Sequence, residues 1–275
     1  MRRWKQLIKL AKESQKDGYY AHKIALYNVI LIVALLFIWE TAAKICHSPF
    51  FPSLTEVVEA ATRIIIFGDI EGYKLSDHIF ASIIRVLLGF GFACVTGFST
   101  GLVMGLRREV YEALKPVIEP VRFIPPIAWL PIVFLLLSGY LRYIVIIWLG
   151  AFFPILLNTL SGVRRTDMTL INVAKVFGAD GKLLISKVII PSALPEVIAG
   201  MRIGLGIGWM CIVAAEMMGG DPVGLGRLII KHVELLQIDA SIVGIIFIGI
   251  IGLLMNEVFL QTEKRLFKWR VEVKI

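Results

Sequence analysis

An all-α membrane protein with six transmembrane helices is the fold this sequence predicts, and three observations predict it. Of the 275 residues, 57% are hydrophobic and only 18% charged, where soluble domains carry about 25% charged residues. Several nearly uncharged runs approach the ~20 residues a helix needs to cross a bilayer. Lysine and arginine are shared very unevenly between alternate connecting segments, as polytopic proteins require. A water-soluble enzyme is disfavoured, and the net charge of +8 is read as membrane orientation rather than as a nucleic-acid surface.

Each span follows from its run. Ile24 to Ile45 is broken only by Glu40 and Lys44; as a helix its 22 residues reach about 33 Å. That core is too long for a secretory signal, so it reads as a retained anchor. The further spans are Ala81 to Leu106, Arg122 to Leu137, Tyr143 to Gly162, Ala199 to Gly219 and Ile238 to Leu260. Pro125, Pro126 and Pro131 make the third the least regular, because each removes a backbone donor and kinks a helix. Between the first two spans, Ser53 or Thr55 is placed to cap an amphipathic helix with Glu56 in its first turn.

Orientation follows from the cations. Residues 1–23, 105–122, 163–200 and 261–275 hold 21 lysines and arginines, and the opposite set of loops holds five. Both termini are therefore expected in the cytoplasm. Trp4, Leu7, Ile8 and Ala11 share a helical face among basic residues, which fits either a helix lying on the inner leaflet or a solvated tail that only sets topology.

The second span carries Gly89, Ala93, Gly97, Gly101 and Gly105, each four residues apart. The fifth repeats this with Gly200, Gly204 and Gly208. Such faces let another backbone approach closely, either as fixed packing or as a surface that slides between states. The three cysteines (Cys46, Cys94, Cys211) and four histidines (His22, His47, His78, His232) are scattered. No metal site is expected.

Residues 163–199 are too polar to lie in the membrane. A periodic stretch from Asp167 carries Leu170, Ile171, Ala174 and Phe177 and ends at Gly178, the residue type that closes a helix. A second stretch, Leu183 to Ile190, is expected to close at Pro191 and Pro195. Alone, this hairpin reads either as a cap on the bundle or as a docking site for a soluble partner. Asn172-Val173-Ala174, three residues, Gly178, nine residues, then Val188-Ile189-Ile190-Pro191 resembles the EAA motif of permease subunits in binding-protein-dependent ABC importers. Phe177-Gly178-Ala179, Pro191-Ser192-Ala193-Leu194-Pro195, Ala214-Ala215-Glu216-Met217, Ile124-Pro125-Pro126 and Glu263-Lys264-Arg265 with Trp269-Arg270 resemble its nitrate/sulfonate/taurine-type branch. The resemblance covers almost everything after residue 30. Asn172 and Val173 depart from the motif's acidic residue and alanine, which removes any ion pair that the glutamate would make to an ATPase.

The spans and cation counts divide the chain into a basic segment (1–23), an anchor (24–46), an external amphipathic segment (47–80), a core (81–262) and a basic tail (263–275), and the resemblance implies that the core is a permease domain with its coupling loop at 163–199. It implies two copies in the membrane, an external binding protein and cytoplasmic ATPase subunits that bind ATP, the solute being a small anion. Gly181-Lys182 lacks the glycine five residues before it that a phosphate-binding loop needs, so no cofactor is expected in this chain. Coupling is expected of Asn172, Ala174, Phe177, Gly178, Ala179, Pro191 and Pro195. Candidates for the translocation pathway are Pro125, Trp129, Asn158, Thr159, Trp209 and Glu216; Gly97, Gly101, Gly204 and Gly208 are expected to pack helices. Glu216 also fits a carboxylate reaching the outer interface, and Asn158 and Thr159 also fit backbone partners. A secondary transporter remains the alternative, although no paired repeats are visible.

Overall fold

The computed structural model describes residues 2–266, with side chains over residues 23–265 apart from Ala25. The side chains of Trp4, Leu7, Ile8 and Ala11, and Trp269-Arg270 in the basic tail, lie outside the described residues. Among the described residues every regular element is helical. The helices are α1 (Arg2–Cys46), α2 (Leu54–Ile66), α3 (Leu75–Leu106), α4 (Arg108–Arg122), α5 (Leu130–Leu136), α6 (Tyr140–Arg164), α7 (Met168–Val176), α8 (Gly181–Leu184), α9 (Ile190–Met218), α10 (Leu225–Glu234) and α11 (Ile238–Leu266). Among the described residues five helical runs are long and apolar enough to cross a membrane, and α4 with α5 forms a sixth only if their bent pair counts as one span.

α6 is the centre of the bundle. On one side lies the bare face of α3: a Cβ built on Gly89 would stand 2.6 Å from Ile147 Cβ, on Gly97 3.1 Å from Ile155 Cβ, and on Gly101 2.6 Å from the Leu156 carbonyl oxygen. On the other lies α9, where a Cβ on Gly200 would be 2.6 Å from Asn158 Cβ, on Gly204 2.9 Å from Ala151 O and on Gly208 3.2 Å from Ile147 Cγ2. Lipid supplies no hydrophobic drive between helices, so association rests on close van der Waals fit. Two glycine stripes closing on one helix provide it. α1, by contrast, exposes Ile30, Val33, Phe37 and Ile38 around its circumference, as a helix surrounded by acyl chains does.

The ends of the bundle differ. At one, here the cap end, α2 connects α1 to α3, α10 connects α9 to α11, and both pack against α11. Ser53 caps α2, its Oγ accepting from the Glu56 N–H while Glu56 accepts from the Ser53 N–H at 2.7 Å; Val57, Ala60 and Ile64 form the buried face. Trp39 donates to Pro52 O at 3.1 Å, Thr55 Oγ1 donates to Glu40 at 2.7 Å, and Lys44 pairs with Glu40 at 2.7 Å. The first two bonds tie α1 to α2 and the turn before it, while the Lys44–Glu40 pair lies within α1. At the opposite, hairpin end lie α7 and α8.

Three expected boundaries need correction. α3 starts at Leu75, six residues before Ala81, because the Asp77 carboxylate accepts from the Lys74 N–H at 2.9 Å and caps the helix there. The third span is not a single kinked helix from Arg122: α4 already ends there, a 3₁₀ turn covers Pro126–Trp129, and the two legs meet at 86°. Consecutive prolines cannot supply the donors that would continue the ladder. Pro191 and Pro195 do not close the second helical stretch either. A π-helical turn at Ile185–Ile189, in which the Ile190 N–H donates to Ile185 O, carries α8 into α9. This wider turn re-registers the hydrogen bonds immediately before Pro191, so the ring is accommodated and helix continues from Gly181 to Met218 over 38 residues.

A bulky residue on the α3 stripe must push α6 away. Gly101→Val is expected to cost about 1–3 kcal/mol of stability by overpacking, read as a lower thermal midpoint in detergent. Gly91→Ala, where the added carbon meets nothing within 4 Å, should leave the midpoint unchanged or slightly raised; equal losses in both variants would contradict this packing.

Candidate functional site

The hairpin is built from local signals. Asp167 caps α7 by accepting from the Thr169 N–H at 2.7 Å, and that bond holds its carboxyl below the ordinary aspartate range. At the other end the Gly178 N–H donates to Lys175 O and the Ala179 N–H to Ala174 O, both at 2.9 Å. Gly178 has φ +82°, so this is a Schellman closure, whose left-handed residue is best filled by glycine. The turn leaves Val176 and Phe177 85% and 86% exposed. Beside it, Leu170, Val173, Ala174, Lys187, Val188, Pro191, Ser192 and Pro195 line an open groove of about 490 Å³. Of the coupling candidates, Ala174, Pro191 and Pro195 line the groove; Asn172, Phe177 and Gly178 are exposed around the turn, and Ala179 is partly buried.

The pathway candidates do not gather in one place. Asn158 lines a largely apolar cavity of about 450 Å³ with Arg122, Phe123, Pro154 and Ile203, its Nδ2 donating to Pro154 O at 2.8 Å. Thr159 is fully buried against Gly101. Trp129 packs on the main apolar core and Pro125 is exposed at the bend. Trp209 donates to Ile248 O at 3.2 Å on the α11 side.

Glu216 has a different setting. Its residue is 1% exposed, and its carboxylate accepts from Arg85 Nη1 at 2.7 Å, Ser82 Oγ at 2.8 Å and the Gly226 N–H at 3.0 Å. It thereby joins α3, α9 and the start of α10. Arg85, 4% exposed, also donates to Val223 O at 2.7 Å and to Asp221 at 3.2 Å; Arg142 reaches the same Asp221 at 2.7 Å. A second buried group lies alongside. Lys231 pairs with Asp69 at 3.3 Å and Glu71 at 2.8 Å, and His78 stands 3.6 Å from Asp69 with its Nδ1 accepting from the Gly224 N–H at 3.1 Å. Burial pushes the Asp69 carboxyl up, but the Tyr73 N–H and the Lys231 ammonium outweigh it and hold the group below its ordinary range.

Sequence reasoning missed Ser82, Arg85, Arg142, Asp221, Asp69, His78 and Lys231 as a cluster. One signal was available: Arg85 and Glu216 both interrupt apolar runs, and charges inside spans pair with one another. Removing one partner leaves a buried charge uncompensated, which costs about 3–5 kcal/mol. Arg85→Met is therefore expected to lower the thermal midpoint sharply, and adding Glu216→Gln to recover part of it. Independent, additive losses in the two single variants would dissolve the pairing.

The comparisons with known proteins agree on one class. Residues 93–268 match the family model described as the binding-protein-dependent transport system inner membrane component. A protein of Methanocaldococcus jannaschii, named as an ABC transporter permease without a stated solute, is 38% identical over 260 residues, 92% of this chain and 96% of the relative. The nitrate import permease protein NrtB of Synechocystis sp. is 34% identical over 89% of this chain and 90% of its own. The taurine transport system permease protein TauC of Escherichia coli is 34% identical over 88% and 89%.

Proposed function

The chain belongs to the binding-protein-dependent transport system inner membrane component family, and from that premise we propose that two copies of it form the channel for a small oxyanion, opened and closed through the α7–α8 hairpin. It is the permease subunit of an ABC importer, a multi-pass protein of the inner membrane that works with an ATPase and a substrate-binding protein. The observation that carries the mechanistic reading is the hairpin itself. A Schellman-closed turn presents Val176 and Phe177 outward beside the groove, at the end of a helical run about 57 Å long by its 38 residues. That exceeds the ~30 Å hydrocarbon layer. The run therefore has length to spare beyond the bilayer, and the hairpin is where a soluble subunit reaches it.

On this reading Asn172, Ala174, Phe177, Gly178, Ala179, Pro191 and Pro195 meet the ATPase. Asn172 brings no charge, so apolar shape at Val176 and Phe177 carries the contact. The hairpin end and both termini face the cytoplasm and the cap end faces the binding protein, in line with the bias of 21 cations against five. Residues 1–23, 24–46, 47–80, 81–262 and 263–275 then act as basic segment, anchor, external stretch, permease core and basic tail. An oxyanion as solute is supported by the names of the nitrate and taurine relatives. Asn158 and Arg122, facing one cavity, supply an amide and a cation to it, with Pro125 at the bend. Trp129, Thr159 and Trp209 act by packing the walls, and Glu216 by holding the cap end together. Gly97, Gly101, Gly204 and Gly208 set how closely the wall helices approach.

Gly178→Asp is expected to abolish solute-stimulated ATP hydrolysis by the assembled complex while the chain still inserts and associates, because aspartate adopts φ +82° less readily and adds charge to an apolar contact. A cysteine replacing Asp180, in a chain otherwise free of cysteine, should react with an impermeant thiol reagent only after the cells are opened. Normal stimulation in Gly178→Asp would remove the hairpin from coupling, and labelling in intact cells would reverse the orientation.

A further inference from the structure

We propose that Arg85, Arg142 and Tyr143 form a binding site for a small oxyanion at the cap end, and that Asp221 of the same chain occupies it in this structure. The proposal deepens the reading above and rests on it in one respect, that the cap end faces the side from which solute arrives.

Two guanidinium groups meet on one carboxylate. Arg142 Nη2 lies 2.7 Å from Asp221 Oδ1 and Arg85 Nη2 3.2 Å from Oδ2, so each oxygen of the carboxylate accepts from a different cation. The aromatic rings hold both cations independently of Asp221. The Arg85 Cζ stands 4.4 Å from the Tyr143 ring centroid, and the Arg142 Cζ stands 5.0 Å from the same centroid and 4.9 Å from that of Phe134. Cations held over ring faces keep their place when a counter-ion changes.

Donor capacity is left over. Among the described residues Arg85 Nε and Arg142 Nε are buried with no hydrogen-bond partner, and the buried Tyr143 hydroxyl faces the Asp221 carboxylate without a well-formed bond to it. Unused buried donors carry a desolvation cost, and Asp221, tethered by its own backbone, meets only the Nη2 atom of each arginine. A nitrate or sulfonate brings three oxygens to the same place, and guanidinium groups bind such oxyanions in forked pairs.

The charges also separate into a fixed part and an exchangeable part. Glu216, enclosed and bonded to Ser82, Arg85 and Gly226, neutralises Arg85. Among the described residues Arg142 pairs with Asp221 alone. The Asp221 side chain is 34% exposed and sits in a linker of residues 219–224 that contains Gly219, Gly220 and Gly224. Replacing it with an external monoanion leaves the net charge at the arginines unchanged. Because Val223 O stays bonded to Arg85, and the Gly224, Leu225 and Gly226 N–H groups to His78, Ser82 and Glu216, the exchange frees only the 219–222 part of the linker and keeps α10 in place. Asp221 thus acts as a tethered competitor, and the apparent affinity for a free anion is reduced by the fraction of time the site is empty.

The test uses the full chain in detergent, titrated with sodium nitrate or sodium methanesulfonate against equal sodium chloride, with the thermal midpoint as readout. Asp221→Ala is expected to lower the half-saturating nitrate concentration by about tenfold or more, as removal of an intramolecular competitor does; Asp221→Asn serves the same purpose if the alanine variant does not fold. Adding Arg142→Gln to either should abolish the nitrate-specific shift. If neither Asp221 variant responds to nitrate or methanesulfonate more than the wild type does, or if the response survives Arg142→Gln, the site is refuted. ATP-driven uptake by the wild-type complex judges the permease reading separately: uptake without any anion response in the Asp221 variants overturns this site alone, whereas an anion response without uptake supports the site and overturns the reading of the whole.

Discussion

The close approach of α3 and α9 to α6 is the constraint on which the remaining structure depends. Inside a bilayer, apolar side chains gain nothing from leaving lipid for protein, so helices associate only where their surfaces fit. At Gly89, Gly101 and Gly200 the neighbouring helix stands where a Cβ would be, and no other residue type leaves that space. Three backbones packed this tightly make one body. The more weakly held pieces, namely α1 through its bonds to α2 and the bent α4–α5 pair, are arranged around it.

That body carries two chemically different ends. At the hairpin end, exposed apolar side chains sit on a turn closed by backbone hydrogen bonds, so the surface is shaped by glycine geometry rather than by charge. At the cap end, buried ion pairs do the fastening: Arg85 with Glu216, and Lys231 with Asp69 and Glu71, knit the linkers and α10 onto α3 and α9. Buried ion pairs add little net stability but fix a geometry, since any other arrangement strands a charge. α9 runs between the two ends. A force applied to the hairpin meets first the π-helical turn at Ile185–Ile189, then a helix clamped by glycines, then Glu216.

How much of this is legible in the sequence depends on the range of the interaction. Span lengths, the Ser53 cap, the helix end at Gly178 and the small faces of α3 and α9 are written in local spacing, and reading them places four membrane helices within a few residues to about a turn and a half of helix at most of their ends. The start of α9 lies further from the expected Ala199, since prolines read in isolation as stops: the π turn that lets Pro191 sit inside a continuing helix has no sequence mark of its own. The start of α3 lies outside the apolar run because Ser76, Asp77 and His78 are polar, yet His78 is buried among Asp69, Lys231 and Gly224. The residues of α4 enter the sequence reading only through their cations, although Arg108, Glu112, Lys115, Glu119 and Arg122 fall on one side of α4. The ion cluster was out of reach for a simpler reason: Arg85 and Glu216 are 131 positions apart, and only the packing of α3 beside α9 brings them together. Glu216 was marked as exceptional from its setting in an apolar run; its partner was not.

α8, the π turn and α9 form one continuous helical run of 38 residues from Gly181 to Met218, and a run clamped this way should move as one strut joining the hairpin to the cap end. Spin labels at Lys182 and Met218, introduced as cysteines after Cys46, Cys94 and Cys211 are replaced, report the length of that strut by pulsed dipolar spectroscopy in the assembled complex. A single narrow distance is expected, near the ~54 Å of 36 helical steps, the same with and without bound ATP. A second distance appearing with nucleotide, shorter by about one helical turn or more, would show that the π turn is a hinge and that the hairpin moves independently of the core.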